Sequence, residues 1–162
     1  MEIIRNNAES TLLIKDEKEL AALAARIVPL LKTKDVVTLV GDLGAGKTAF
    51  ARALINNFSQ VPEEVPSPTF TLVQVYELPQ ISVWHFDLYR LEKKSIDILE
   101  LGWDDARRDG ICLIEWPDRL GSLLPPDRLE IKIGFNNYSE NSRTIALIPY
   151  GSWVTRLKGI EL

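Results

Sequence analysis

The chain contains little cysteine, histidine or methionine, with one residue of each among 162. A single cysteine excludes an intrachain disulfide, so disulfide bonds cannot hold this fold together. That residue, Cys112, lies within the apolar run Ile111-Cys112-Leu113-Ile114. We therefore predict a buried, small hydrophobic side chain at this position, with a reactive thiol as the alternative.

An excess of positive charge is also lacking. The chain has 19 Lys and Arg residues against 23 Asp and Glu residues, which gives a formal net charge of −4. A protein that grips nucleic acid through its phosphates needs the opposite sign. The composition does not exclude local basic patches, but it disfavours a protein that binds nucleic acid directly.

Long apolar runs, internal repeats and low-complexity segments are absent as well. The N-terminus, Met1-Glu2-Ile3-Ile4-Arg5-Asn6, turns polar at once, and no run approaches the ~18 apolar residues of a membrane span. We expect a cytoplasmic protein that has no membrane partner. With 46% hydrophobic residues, residues 1–162 fit a single domain with a sizeable core.

One complete motif is present, a phosphate-binding loop of the form GxxxxGKS/T. An apolar run, 36–40, precedes the loop and an Ala-rich segment, 48–57, follows it, as expected for a strand and a helix. Backbone N–H groups of such a loop converge on an anion, its lysine reaches the phosphates, and its hydroxyl can ligate Mg²⁺. The motif predicts a nucleoside triphosphate site formed by Gly41, Asp42, Leu43, Gly44, Ala45, Gly46, Lys47 and Thr48.

The remaining pattern predicts an α/β protein with the three-layer P-loop NTPase fold. Asp16 and Glu19 have the spacing of a helix-starting capping box, and Pro29 is expected to end or kink that helix. The runs 70–76 and 81–88 are too close together for a parallel crossover, so we expect an antiparallel hairpin and a mixed, partly parallel sheet flanked by helices. We further predict a strand at 10–14, a loop at 59–68, a helix at 93–101, a strand at 111–115, a hairpin of 128–135 and 143–148, and a terminal helix containing Trp153 and Leu157.

Two acids are predicted at strand ends, where a P-loop enzyme holds its metal. Strand alternation places His85 and Asp87 on one face, and Asp87 at the strand end is a candidate Mg²⁺ ligand or a simple turn cap. Glu115 ends a second apolar strand and is a candidate for positioning the attacking water or completing the metal shell, with a salt bridge as the alternative. His85 can orient water or be structural, and Trp116 can flank the nucleotide or pack normally.

A sensor of the γ phosphate is the third element that hydrolysis needs. Thr69 follows Pro66 and Pro68 in the loop after the motif's helix, and its hydroxyl is a candidate sensor or part of a plain turn. Arg90 is a candidate for contacting phosphate or for pairing with the acids. The guanine-reading sequence Asn-Lys-x-Asp does not occur, which favours ATP over GTP.

Four segments of the chain form one combined pattern: the phosphate loop, Ser67-Pro68-Thr69-Phe70, His85-Phe86-Asp87-Leu88-Tyr89-Arg90-Leu91 and Ile114-Glu115-Trp116-Pro117. Together, in the right order from about residue 10 to residue 135, they resemble the bacterial TsaE (YjeE) family. The resemblance implies a small Mg²⁺-dependent ATPase of tRNA threonylcarbamoyladenosine synthesis. It implies that the chain acts on a heterodimer of TsaD and TsaB and meets tRNA only indirectly, through that complex.

The resemblance also implies roles for individual residues. Lys47 and Thr48 would serve phosphate and magnesium, Asp87 would be the magnesium aspartate, and Glu115 would be the second essential acid. Ala49 departs from the family, which usually has a second threonine there. Two other functions remain open: a small-molecule P-loop kinase, with Ala106-Arg107-Arg108-Asp109 as its only lid-like cluster, and a module that ATP switches without hydrolysis.

Overall fold

Eight strands and four α-helices make up the part of the chain that the structure, a computed structural model, describes, namely residues 2–6, 9–59, 61–62, 64–91, 97–160 and 162. The strands are β1 (Glu2–Asn6), β2 (Glu9–Ile14), β3 (Val36–Val40), β4 (Val73–Glu77), β5 (Ser82–Asp87), β6 (Gly110–Glu115), β7 (Arg128–Phe135) and β8 (Arg143–Tyr150). The α-helices are α1 (Glu17–Ile27), α2 (Lys47–Asn57), α3 (Trp103–Asp109) and α4 (Trp153–Lys158). Short 3-10 helices cover Val28–Leu30, Ile98–Leu101 and Pro117–Leu123.

The strands form one mixed sheet in the order β1-β2-β8-β7-β3-β6-β5-β4. Its centre is parallel, because β3 pairs in parallel with β6 and β7, and β5 pairs in parallel with β6. Its margins are antiparallel: β4 pairs with β5 at one end, and β7, β8, β2 and β1 pair in turn at the other. The mixed sheet predicted from the sequence is therefore confirmed, and the carboxyl ends of β3, β5 and β6 meet at one edge.

Helices cover both faces of the sheet. On one face, Leu23 of α1, Phe50 of α2 and Trp153 of α4 are buried in one apolar cluster with side chains of β3 and β6. On the other face, Trp103 of α3 packs in a second cluster that includes Phe86 and Ile114. Every residue of β6 is buried, as expected for a strand with helices on both sides. The predicted three-layer α/β fold is confirmed.

Local sequence signals set the ends of α1. The Asp16 carboxylate caps the helix by accepting a hydrogen bond from Glu19 N at 2.9 Å. At the other end Pro29 converts the last turn into a 3-10 helix, because its ring removes a backbone donor. Both boundaries agree with the prediction.

Three local predictions differ from the structure. Residues 93–96 of the helix predicted at 93–101 lie outside the described residues, and Ile98–Leu101 is a 3-10 helix. The α-helix α3 starts after Gly102. The positive φ of this glycine, 83°, ends the 3-10 helix and separates it from α3. Strand β4 begins at Val73 rather than at residue 70, since Leu72 N bonds back to Pro68 O at 2.7 Å in a turn. Strand β1 was not predicted at all.

The C-terminal helix is fixed to the body of the protein, as predicted. Trp153 and Leu157 of α4 are buried. The Arg156 guanidinium donates to Asp35 Oδ1 at 2.8 Å and to Asp35 Oδ2 at 2.6 Å, which ties α4 to the residue before β3. Within the described part of the chain, no helix combines the length and the apolar character needed to cross a bilayer.

Candidate functional site

The loop between β3 and α2 adopts a conformation that its glycines make accessible. A Cβ atom on Gly41 would lie 2.4 Å from Ile133 O, so only glycine fits between the loop and β7. Gly46 has φ of 110°, a left-handed conformation that other residues rarely adopt, and it forms the N-cap of α2. The loop therefore leads directly into the positive end of a helix, where backbone N–H groups favour an anion.

Lys47 lies inside this loop rather than in solvent. Its ammonium donates to Gly41 O at 2.7 Å and to Asp42 O at 2.9 Å, and it lies 4.4 Å from the centre of the Trp116 ring. Burial lowers the pKa of Lys47 below its ordinary value, although Glu115, Asp87 and Asp42 act in the opposite direction. A buried cation held by carbonyls and an aromatic face is well placed to exchange these contacts for phosphate oxygens.

The two predicted strand-end acids lie side by side. Asp87 of β5 and Glu115 of β6 are register partners in the parallel sheet, and their residues are only 4% and 3% exposed. The Thr48 hydroxyl, in the first turn of α2, donates to Glu115 at 3.0 and 3.1 Å. The structure thus brings the phosphate loop and both acids to one edge of the sheet.

The Pro-containing loop before β4 also reaches this edge. The hydroxyls of Ser67 and Thr69 each donate to Asp87 Oδ2 at 3.1 Å, and they lie 2.7 Å from each other. Asp87 Oδ1 accepts from Tyr89 N at 3.0 Å, so the carboxylate does cap a turn as well. From the sequence, a role was predicted for Thr69 but none for Ser67. Nothing in the segment Ser67-Pro68-Thr69 shows that the serine hydroxyl reaches the same carboxylate as the threonine hydroxyl.

His85 supports the second acid. The imidazole is fully buried, and its Nε2 lies 2.7 Å from Glu115 Oε2. Because a carboxylate only accepts, the ring N–H donates in this hydrogen bond. His85 Nδ1 has no hydrogen-bond partner among the described residues. His85 therefore holds the Glu115 carboxylate in place, which is a structural role within the site.

Aromatic and basic side chains form the rim of the site. Trp116 has φ of 59°, and this left-handed backbone turns its ring towards Lys47 and to 4.9 Å from the Tyr89 ring. The Arg90 guanidinium lies 4.4 Å from the centre of the exposed Phe70 ring. Trp116 and Arg90 both line the cavity beside the loop, but Arg90 stacks on an aromatic ring, an arrangement that neither of its predicted alternatives anticipated.

Two cavities meet at the loop. One, of about 320 Å³, contains Lys47, Thr48, Asp87 and Glu115 in its wall. The other, of about 510 Å³, lies between the start of α1 and the hairpin of β7 and β8. Gly46 and Ala49 line both cavities. A ligand with a phosphate chain and a larger head group could therefore extend from one cavity into the other across Gly46.

The donor set fits a magnesium ion only in the company of phosphate. Carboxylate and hydroxyl oxygens suit Mg²⁺, which usually takes one or two carboxylates and completes its shell with water and phosphate. Among the described residues, no cluster of three or more His, Cys, Asp and Glu side chains is placed to hold a metal. Asp87, Glu115 and Thr48 could supply hard oxygens to such a shared site, with the phosphate held by the adjoining loop.

The lid-like cluster considered for a kinase lies at the wrong edge of the sheet. Arg107 donates to Lys34 O before β3, and Arg108 pairs on the surface with Asp105 and Asp109. These residues precede β6, whereas Glu115 ends it. Five steps along a strand separate the two edges by roughly 17 Å. The arginines are therefore far from the loop.

The mixed sheet, the loop between β3 and α2 and the adjoining strand-end acids place the chain in the P-loop NTPase fold class. The model of a family described as threonylcarbamoyl adenosine biosynthesis protein TsaE matches residues 14–145. The chain belongs to this TsaE family.

Individual relatives agree with this membership. The TsaE protein of Rickettsia felis is 38% identical over 87% of this chain and 81% of its own length. The TsaE protein of Bacillus subtilis is also 38% identical, over 83% of this chain and 82% of its own. The crystal structure of Bacillus subtilis YdiB superposes with a TM-score of 0.76 at 26% identity and covers 98% of this chain and 95% of that one. The family resemblance predicted from the sequence is confirmed, and the match extends beyond residue 135 into β8.

Proposed function

We propose that this chain is a Mg²⁺-dependent ATPase of tRNA threonylcarbamoyladenosine biosynthesis that acts on the TsaB and TsaD proteins. One observation carries the proposal: Lys47, Thr48, Asp87 and Glu115 surround a single cavity at the end of a phosphate loop. Membership of the TsaE family supplies the pathway.

The phosphate loop would hold the triphosphate. Lys47 already donates to two loop carbonyls, so it would exchange them for phosphate oxygens without leaving the cavity. Thr48 and Asp87 would hold Mg²⁺, which neutralises charge on the phosphates when it is bound. Each of these residues keeps its place through hydrogen bonds within the protein, so little side-chain ordering remains to be done on binding.

Glu115 would orient the attacking water or share in the magnesium shell. Its carboxylate is fixed by hydrogen bonds from the Thr48 hydroxyl and from the His85 imidazole. The hydroxyls of Ser67 and Thr69 would respond to the γ phosphate through Asp87, since both donate to the same carboxylate oxygen. The 510 Å³ cavity would take the base and ribose, because it joins the phosphate cavity at Gly46.

The family resemblance and the net charge both support the partner assignment. A net charge of −4 disfavours direct binding to tRNA, and the TsaB–TsaD heterodimer would hold the RNA instead. ATP turnover would change how the chain holds its partners, while the chemistry on tRNA would take place on TsaD.

Calorimetry with ATP, GTP and ATP plus EDTA tests the nucleotide and metal assignments. We expect ATP to bind more tightly than GTP and Mg²⁺ to strengthen the binding. Product analysis then separates the alternatives. Equal amounts of ADP and free phosphate support hydrolysis, a phosphorylated acceptor would indicate a kinase, and binding without any product in the presence of TsaB and TsaD would indicate a switch module. No ATP binding at all would overturn the proposal.

A further inference from the structure

We propose that Arg143, the first residue of β8, is a positioning residue that fixes the phosphate loop in its binding conformation. The inference rests on the nucleotide site proposed above, and it gives a role to a hairpin whose sequence carries no recognisable motif. Arg143 Nε donates to Ala45 O at 2.8 Å, across 98 residues of sequence. Ala45 is the loop residue immediately before Gly46.

The same guanidinium also holds the hairpin loop between β7 and β8. Arg143 Nη1 donates to Glu140 O and to Ser142 O, both at 2.8 Å, and the group lies 4.7 Å from the centre of the Phe135 ring. One planar group therefore joins three backbone carbonyls from two separate loops. A lysine has a single ammonium on a flexible stem and lacks this forked geometry.

The hairpin loop is itself ordered, so it makes a firm anchor. The buried Ser142 hydroxyl lies 2.6 Å from Asn136 Oδ1 and 2.8 Å from Ser139 O, either of which can accept its proton, and it accepts from Ser139 N at 3.0 Å. Arg143 thus connects the phosphate loop to a loop with its own internal hydrogen bonds rather than to a free surface segment.

The contact matters because of what it does to Gly46. A trans peptide points its C=O and N–H in opposite directions, and no cis peptide occurs among the described residues. Holding Ala45 O therefore aims the Gly46 N–H away from Arg143. On the other side, Gly46 O accepts from Phe50 N at 3.0 Å in the first turn of α2.

Gly46 is consequently held between two anchored peptides. Nothing lies within 4 Å of the place where its Cβ would be, so crowding does not fix its conformation. A glycine rotates easily between left- and right-handed φ. Without the Arg143 contact, the Ala45–Gly46 peptide could turn and take the Gly46 N–H out of the phosphate cradle.

The test compares ATP with inorganic tripolyphosphate, measured by competition against a fluorescent ATP analogue. If Arg143 acts through the loop, Arg143→Ala weakens both ligands by the same factor, about tenfold or more for one lost charge-assisted contact. Arg143→Lys keeps the charge but loses the fork, so we expect it to weaken both ligands equally and less than the alanine variant does. If Arg143→Ala does not fold, Arg143→Lys carries the test by itself.

Arg128→Ala is the matched control. Arg128 begins β7 at the opposite end of the same hairpin, lies 3.9 Å from the Tyr150 ring centre and donates to Pro125 O at 3.1 Å. It has the same kinds of contact but none to the phosphate loop, so its removal leaves both affinities at the wild-type value.

Four results would overturn the inference. Weaker ATP binding with unchanged tripolyphosphate binding places the effect in the base cavity. Wild-type affinities in Arg143→Lys mean that only charge matters, and wild-type affinities in Arg143→Ala with a lower melting temperature mean that the contact serves stability alone. A wild-type protein that binds ATP but not tripolyphosphate has no preformed cradle. A wild-type protein that binds neither ligand rejects the proposed function itself.

Discussion

Replacing Asp87 with asparagine should weaken the response to Mg²⁺ while leaving the fold intact. Asp87 Oδ1 accepts from Tyr89 N, a bond that the asparagine carbonyl can keep. The hydroxyls of Ser67 and Thr69, which donate to Oδ2, can rotate to accept from the new NH₂ group. We therefore expect the free energy of unfolding without ligand to change by about 1 kcal/mol or less.

The loss in metal affinity should be larger. A unit charge and a divalent ion about 4 Å apart attract each other by about 8 kcal/mol at an effective dielectric constant of about 20, before desolvation is counted. Measured contacts to charged groups contribute only about 1.5–3 kcal/mol net. The Mg²⁺ concentration that half-saturates ATP binding should accordingly rise roughly 10- to 100-fold.

A titration of Mg²⁺ at fixed ATP, followed by calorimetry, measures this shift. Asp127→Asn is the control, because the Asp127 carboxylate likewise accepts from a backbone N–H and a hydroxyl, both of Ser152, outside the cavity. An unchanged Mg²⁺ midpoint in Asp87→Asn, with normal folding, would refute the assignment of Asp87 to the metal.

Four further predictions follow from the site and the core. Lys47→Ala should weaken ATP binding about 10- to 100-fold through loss of a charge-assisted phosphate contact, whereas Lys158→Ala on α4 should leave it unchanged. If calorimetry gives Lys47→Ala the same ATP affinity as the wild type, the placement of the site is wrong. Glu115→Gln should keep most of the ATP affinity but lose phosphate release, and normal turnover with the partners present would show that this acid is not needed. Burial lowers the pKa of Lys47 below its ordinary value of 10.5, and the proposed binding uses the charged ammonium, so ATP affinity should begin to fall at a pH below 10.5. An ATP affinity that stays constant up to pH 10.5 would contradict this role of Lys47. Burial raises the pKa of Cys112 from 9.0 to about 12, so a thiol reagent at pH 8 should label this residue only when the protein unfolds. The contribution of Cys112 to stability should decline above about pH 9, where the thiol of the unfolded chain ionises. Fast labelling of the native protein would be inconsistent with this burial.

Local sequence signals were enough for most of the secondary structure. Asp16 and Glu19 marked the start of α1, because capping depends only on residues three apart. The segment from Ile98 to Asp109 was less predictable, since Gly102 ends one short helix and starts another, and helical periodicity cannot show such a break. Strand β1 pairs only with β2, at the margin of the sheet, and its short run gave no clear alternation.

The site was partly predictable for a topological reason. Parallel strands bring their carboxyl ends to one edge, so acids at the ends of β5 and β6 could be expected to meet, and their register pairs them directly. The contact of Trp116 with Lys47 depends on the left-handed backbone of Trp116 itself. Such a conformation is predictable at a glycine or an asparagine but not at a tryptophan. The role of Arg143 could not be predicted, because its contact with Ala45 spans 98 residues. The contact is made to a backbone carbonyl, so it does not depend on the identity of the side chain at position 45.

The most direct measurement is the rate of phosphate release from Mg-ATP by this chain alone and with the TsaB–TsaD heterodimer. We expect slow release alone, faster release with the heterodimer, and no release in either case from Glu115→Gln. A wild-type protein that binds Mg-ATP but releases no phosphate in the presence of the heterodimer would contradict the proposed function.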